Sequence, residues 1–218
     1  MMVPKNTPVL ELHGLSKSFQ QRAVIKNFSM KAFAGERILL KGNNGSGKTT
    51  LLRIMAGLTL PDQGLVRFLE EPLNSRNHNE HISWMPVCES GFWARLTGFE
   101  CLNMYAKLWN VPDEKLEQHL NSWKKIPAFS ESLNMQTFSL STGRRQLLHM
   151  CRLLLNQPKL ILMDEPFRSL DEENIQFIEE QFRTLAPTST VIWSSPSELK
   201  NVSPSFQSTL WKLEMGAI

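Results

Sequence analysis

The sequence predicts an α/β fold built on a mainly parallel sheet, and three observations carry that expectation. Short apolar runs alternate with stretches of helical periodicity. Several of the runs are apolar throughout, as suits strands covered on both faces. One run, RILLK at 37–41, passes through a glycine-rich turn straight into a helical pattern. In chain order the predicted strands are VLEL near the start, RILLK, LVRF at 65–68, ISWM at 82–85, LILM at 160–163 and TVIWS at 190–194. Helical patterns cover 48–58, 99–109, 113–123, 142–156 and 171–185. The last opens with acidic residues, which suit a positive helix N-terminus, and then sets Ile175, Ile178 and Phe182 on one face. Between 69 and 140 the strand signal fades and helix dominates, which predicts a helical lobe inserted into the α/β core.

The composition narrows the function classes. At 218 residues, 41% hydrophobic and 21% charged, the chain suits one large domain or two small ones, and excludes disorder and collagen-like repeats. No apolar run approaches the roughly 18 residues of a membrane helix. The opening MMVPKNTPVLELHG lacks the apolar centre and cleavage site of a signal peptide, so the chain is expected to stay in the cytoplasm. Three cysteines, Cys88, Cys101 and Cys151, have no metal-ligand spacing and read as packing residues in a reducing compartment. A net charge of +3 is too small and scattered to argue for a nucleic-acid partner.

Chemistry enters after RILLK. Gly42-Asn43-Asn44-Gly45-Ser46-Gly47-Lys48-Thr49-Thr50 satisfies G-x-x-x-x-G-K-[ST] between a strand and a helix. Glycines let backbone N–H groups curl round a polyphosphate, and the helix start adds positive partial charge. Lys48 is expected to reach the terminal phosphates and Thr49 to ligate Mg²⁺. The bland alternative, a glycine-rich turn joining strand to helix, is outweighed by the strand before the motif and the helix after it. Such a loop identifies a nucleotide site but leaves the reaction open.

The run LILM ends in Asp164-Glu165-Pro166. In a parallel sheet both carboxylates then lie at the C-terminal edge, where a nucleotide on the loop would be found. Asp164 suits Mg²⁺, and Glu165 suits the polarisation of an attacking water. Upstream, Leu140-Ser141-Thr142-Gly143-Arg144-Arg145-Gln146 opens the helix LLHMCRLLLNQPK. Ser141 is a candidate cap, and Gly143 permits close backbone approach, giving a second anion-facing helix start. Standing alone it reads as a plain capped helix. Since one chain needs a single triphosphate site, the economical explanation is that it completes the site of a partner subunit.

In order and spacing these segments resemble the ATP-binding subunits of ABC transporters over roughly residues 8–213. GNNGSGKTTLLRIMAGLTLPDQG is similar to their Walker A segment, LSTGRRQ to the signature loop, LILMDEP to Walker B, and Ser169-Leu170-Asp171 to the D-loop. Phe19 sits where the family stacks an aromatic ring on adenine. The resemblance implies a P-loop NTPase of the ABC type, with an N-terminal antiparallel β part, a mainly parallel core sheet and an inserted helical subdomain. It also implies a single domain, with core about 1–80 and 155–218 and helical subdomain about 85–150. It further implies ATP and Mg²⁺ as ligands, with Gly42 through Thr50, Phe19, Ser141, Gly143, Asp171 and Ser195 at the nucleotide, Thr49 and Asp164 on the metal, and Glu165 catalytic. The implied partners are a transmembrane permease and a second ATP-binding subunit, identical or not, paired head to tail. The chain is then expected at the cytoplasmic face of the membrane, held only through that permease.

Two departures stand out. Where the family carries a Mg²⁺-binding glutamine, this chain has Val87 or Cys88, with Glu89 the nearest oxygen donor. Where the family has a γ-phosphate histidine after the strand TVIWS, Ser195 is found, and a hydroxyl carries no positive charge. Thr142 and Arg144 also depart from the signature. The expectation is that ATP binds while hydrolysis is slow. The five histidines (13, 78, 81, 119, 149) are expected in surface or packing roles.

An energising exporter subunit is the leading expectation, because LTGFECLNMY continuing to AKLWNVP resembles a run common in bacterial export subunits for drugs, lipids and polysaccharides. The short chain also resembles the haem-export subunit of cytochrome c maturation. A non-catalytic regulatory subunit paired with a competent homologue is the alternative, motivated by the two replacements. A soluble ABC ATPase of translation or DNA maintenance ranks last, since no second ATPase half, coiled coil or zinc module is present. Aromatics at Trp84, Phe92, Trp93, Phe99, Tyr105 and Trp109 are expected either to pack the helical lobe's own core or to line a groove for the membrane partner.

Overall fold

The computed structural model describes residues 7–20, 22–73, 81–87, 91–196 and 206, with the backbone of 209–212. Contacts gather these into two units. One holds residues 1–84, 158–166 and 187–218, and the other 85–157 and 167–186.

The first unit contains two sheets. Strands β1 (Pro8–Phe19), β2 (Arg22–Phe33), β4 (Gln63–Phe68) and β5 (Glu71–Pro72) form an antiparallel sheet in the order β2-β1-β4-β5. Strands β3 (Arg37–Lys41), β6 (Ile82–Met85), β7 (Leu160–Met163), β8 (Thr190–Ser195) and β9 (Thr209–Lys212) form the second, in the order β6-β7-β8-β3-β9. There β3 pairs in parallel with β8 and β9, and β7 with β8. The antiparallel N-terminal sheet, the parallel core sheet and the helical insert are those expected.

Helix α1 (Lys48–Met55) is apolar on more than one side, and Leu51, Leu52, Ile54 and Met55 are all buried. They join one core with Leu10, Leu12 and Leu15 of β1, Phe28 and Met30 of β2, Ile38 and Leu40 of β3, and Leu160 and Leu162 of β7. α1 stops at Met55, three residues short of the expected 58, because Gly57 turns the chain in the left-handed region.

β2 was not among the expected strands. Its alternation is broken by Lys26 and by Asn27, which takes a left-handed φ of 47°. β1 runs well beyond VLEL. Its register on β2 slips between Leu12 and Leu15, a bulge that turns the odd-spaced Leu15 onto the same buried side as Leu10 and Leu12. β9 also went unpredicted, being four residues on the end of the sheet.

The second unit is helical: α2 (Gly98–Leu108), α3 (Asp113–Trp123), α4 (Pro127–Ser132), α5 (Thr142–Leu154) and α6 (Glu172–Leu185). α2 opens on a full capping box, Thr97 with Glu100. α4, started by Pro127, is too short for a helical period to register in the sequence. The core of this unit is centred on Trp123, fully buried, with its ring 5.6 Å from those of Phe129 and Phe177. Leu102, Leu147, Leu148 and Phe182 are buried too.

The aromatics singled out from the sequence divide between the two units. Trp84 packs against the sheet core of the first unit and does not belong to the helical lobe. Phe92, Trp93, Tyr105 and Trp109 form a chain of ring contacts with centroids 5.2–6.2 Å apart. Trp93 and Phe99 remain 44% and 45% exposed, so these rings lie at the lobe's surface while Trp123 and Phe129 fill its interior. Among the described residues no helix is long and apolar enough to cross a membrane.

Candidate functional site

The site in the first unit begins at the end of β3. Gly42 through Gly47 form a loop, and Gly47 is the N-cap of α1 with φ 95°. Only glycine suits that backbone, and a Cβ there would also lie 3.0 Å from the Val24 side chain and 3.1 Å from its carbonyl oxygen. The start of α1 receives no side-chain cap, and its first turn carries no acidic residue. The starts of α2, α5 and α6, by contrast, are capped by Thr97, Ser141 and Asp171. The first N–H groups of α1 are therefore left for an anion from outside the helix.

Lys48 is buried at 6% exposure and turns its ammonium into the loop, donating to the carbonyls of Gly42 (2.6 Å) and Asn43 (3.0 Å). Burial pushes its pKa down from the usual 10.5, while the negative charges of Glu165 and Asp164 pull it back up. Ser46 is buried with its hydroxyl unpartnered, an orphaned polar atom that a phosphate oxygen would satisfy. Asn43, Asn44 and Gly45 lie exposed on the rim, and Thr50 is half-buried on α1.

Across the sheet, β7 delivers the acidic pair. Thr49 Oγ1 donates to Asp164 Oδ2 at 2.6 Å. The register of β7 on β8 pairs Met163 with Trp193, which brings the next residues, Asp164 and Ser194, side by side. Ser194 Oγ donates to Asp164 Oδ1 and accepts the Glu165 backbone N–H at 3.0 Å. Glu165 itself sits in the left-handed region at φ 48°. A hydroxyl oxygen beside a carboxylate is a hard donor set of the kind Mg²⁺ takes, so the residues present fit that ion. The structure thus joins Lys48, Thr49, Asp164 and Glu165 at one sheet edge, as the sequence suggested.

Ser195 is placed differently. It is buried at 1% exposure, its backbone pairs with Lys41, and its hydroxyl donates to the Pro196 carbonyl at 2.8 Å. The serine that meets the acidic pair is Ser194, which sequence reasoning passed over. The signal for it was the Ser-Ser ending of an apolar strand, but choosing between the two needs the β7–β8 register. Phe19 ends β1, 49% exposed, with Lys17 Nζ 5.5 Å from its ring centre. Val87 is 39% exposed, and Cys88 and Glu89 lie outside the described residues.

The helical unit holds the second motif. Ser141 caps α5, its hydroxyl accepting the Arg144 N–H at 3.4 Å. A Cβ on Gly143 would meet the Ser169 carbonyl oxygen at 2.8 Å, so the glycine lets these two segments touch. Arg144 turns back onto α4, donating to Glu131 and to Met135 Sδ. Asp171 caps α6, accepting the Asn174 N–H at 2.8 Å. His149 is buried on α5 and stacked on Phe92, centroids 4.2 Å apart. His119 Nε2 lies 2.9 Å from the Cys151 carbonyl. His13 is half exposed beside Glu11, and His78 lies outside the described residues. Cys101 and Cys151 are buried, and no cluster of three or more His, Cys, Asp or Glu residues placed to hold a metal occurs among the described residues.

Comparison with known proteins agrees with this geometry. Residues 25–168 match the ABC transporter family. The Nod factor export ATP-binding protein I of Rhizobium sp. (strain N33) is 30% identical over 178 residues, covering 81% of this chain and 58% of that protein. The spermidine/putrescine import ATP-binding protein PotA of Haemophilus influenzae (strain 86-028NP) is 28% identical over 184 residues, covering 84% of this chain and 49% of that protein. The chain thus spans about half to three-fifths of the length of these relatives. The solved structure of an ATP-binding subunit of an ABC transporter superimposes with a TM-score of 0.78 over 86% of this chain and 79% of that one, at 23% identity. The family match runs from β2 past the acidic pair and covers both the phosphate loop and the capped start of α5, and on that ground the chain belongs to the ABC transporter family.

Proposed function

We propose that the chain binds Mg²⁺ and ATP at the loop Gly42–Thr50 and hydrolyses ATP slowly to energise a membrane exporter. The observation that carries this is the Thr49–Asp164 hydrogen bond beside Lys48, which sets an oxygen pair and a cation at the start of an uncapped helix. Backbone N–H groups of Gly45 to Thr50 and the orphaned Ser46 hydroxyl bind the phosphates, and Phe19 offers its exposed ring to the base. Thr49 and Asp164 hold Mg²⁺, which supplies charge neutralisation on the phosphates. Lys48 adds a second positive charge at the terminal phosphate, and Glu165 accepts a proton from the water that attacks it.

In this reading the whole chain is one ABC ATPase domain. Ser141, Gly143 and Asp171 face the nucleotide of a second ATP-binding subunit, identical or homologous. A separate permease carries the substrate and holds the chain at the cytoplasmic face of the membrane. Export is favoured by the LTGFECLNMY run and by the export role named for the 30% identical relative, while an import protein of similar likeness keeps import as the competing direction.

A second reading, a regulatory subunit that binds ATP and leaves turnover to its partner, is supported by two observations. Val87 offers no metal ligand, and the Ser195 hydroxyl is taken by the Pro196 carbonyl. One lost phosphate contact of this type is worth about 2.7–4 kcal/mol of transition-state stabilisation. ATPase assays of the chain with its co-purifying permease decide between them. Slow turnover that disappears in Glu165→Gln supports the first reading, and turnover insensitive to that change supports the second. Rapid turnover unaltered by Ser195→His contradicts the account of the two replaced positions.

A further inference from the structure

We infer that Ser194 is a positioning residue for Glu165 and Asp164, an inference that rests on the reading of Glu165 as the proton acceptor. Glu165 holds a left-handed backbone, φ 48°, that a non-glycine residue keeps only where its surroundings fix it. The described surroundings supply one such fixture, the Ser194 hydroxyl, which accepts the Glu165 N–H at 3.0 Å. The same hydroxyl donates its proton to Asp164 Oδ1, and the other oxygen of that carboxylate accepts from Thr49.

One buried atom on β8 thereby couples three parts of the site: the backbone of Glu165, the carboxylate of Asp164 and, through it, the first turn of α1. A hydroxyl is suited to this, with one proton to donate and lone pairs to accept. Ser194 is fully buried, so water cannot take over either bond when the hydroxyl is removed. The Glu165 side chain leaves a backbone whose angle Ser194 sets, so loss of the hydroxyl misdirects the carboxylate without altering the loop that binds the phosphates. A placement error of this kind lowers the rate of the chemical step and spares binding.

The test compares wild type, Glu165→Gln, Ser194→Ala and Ser194→Thr as purified chains. Steady-state hydrolysis of Mg-ATP is measured together with hydrogen exchange of the Glu165 backbone amide. In Ser194→Ala, kcat is expected to fall at least about tenfold with KM for ATP within about threefold, and the Glu165 amide to exchange at least about tenfold faster. Ser194→Thr, which keeps the hydroxyl, restores both to within about threefold. Unchanged kcat in Ser194→Ala, while Glu165→Gln abolishes hydrolysis, overturns the inference alone. So does unchanged amide exchange, an equal loss of ATP binding, or failure of a Ser194→Thr chain that melts at the wild-type temperature. Wild-type hydrolysis no faster than that of Glu165→Gln overturns the reading of Glu165 and this inference with it.

Discussion

Thr49 Oγ1 and Asp164 Oδ2 lie 2.6 Å apart although 115 residues separate them in the chain. The contact arises because β3 and β7 flank β8 in one sheet, so that the first turn of the helix after β3 and the residue after β7 share an edge. It fixes the direction of the Asp164 carboxylate before any ligand arrives, and it defines where the hard oxygen donors of the site converge.

Replacing Thr49 by Val keeps the β-branched shape and removes the hydroxyl. The gain in ATP affinity on adding Mg²⁺ is expected to shrink by about tenfold, in line with a bond to a charged group worth about 1.5–3 kcal/mol. Affinity without Mg²⁺ should change little. Calorimetric titrations with ATP, with and without MgCl₂, provide the check.

Gly143→Ala places a methyl group 2.8 Å from the Ser169 carbonyl oxygen, a backbone atom that does not swing aside. Alanine is the better helix former, but the clash costs about 1–3 kcal/mol and outweighs that gain. Thermal melting is expected to drop by roughly 2–8 °C. A rise in melting temperature would show that the two segments have room to separate.

His149 makes the chain acid-labile. Its ring is buried with neither nitrogen partnered, and burial, reinforced by Arg152 and Arg145, pushes its pKa down to about 3 from 6.5. The unfolded chain therefore takes up the proton first, so stability is full above pH 6.5 and is lost as pH falls from there towards 3. The loss between pH 7.5 and pH 5 amounts to about 2 kcal/mol from this group. Phe at this position keeps a ring against Phe92 and removes the titration. Urea unfolding at the two pH values should show His149→Phe losing that much less stability than wild type on acidification, and an identical loss would rule out this source.

Much of the site was legible in the sequence because its chemistry is local. The phosphate loop is one contiguous run between a strand and a helix, and Asp164-Glu165 follows an apolar strand directly. Strands covered on both faces and the helices beside them were readable for the same reason. What escaped depends on register. The bulge that turns Leu15 inward hides the length of β1, and Asn27 with its left-handed backbone hides β2. Choosing Ser194 over its neighbour Ser195 requires knowing that Met163 pairs with Trp193. The helical lobe misled in a related way, because aromatic residues signal burial by type alone, while the choice of Trp123 over Trp93 for the interior is made by the helices packed around it.

Equilibrium titration of the purified chain and of Lys48→Ala with Mg-ATP tests whether the loop beginning at Gly42 is a Mg-ATP site organised by Lys48. Saturable one-to-one binding by the wild type, weakened at least about tenfold in Lys48→Ala at an unchanged melting temperature, is the result expected for a buried ammonium that pairs with phosphate. Equal affinity in the two proteins, or no saturable binding to the wild type, would contradict it.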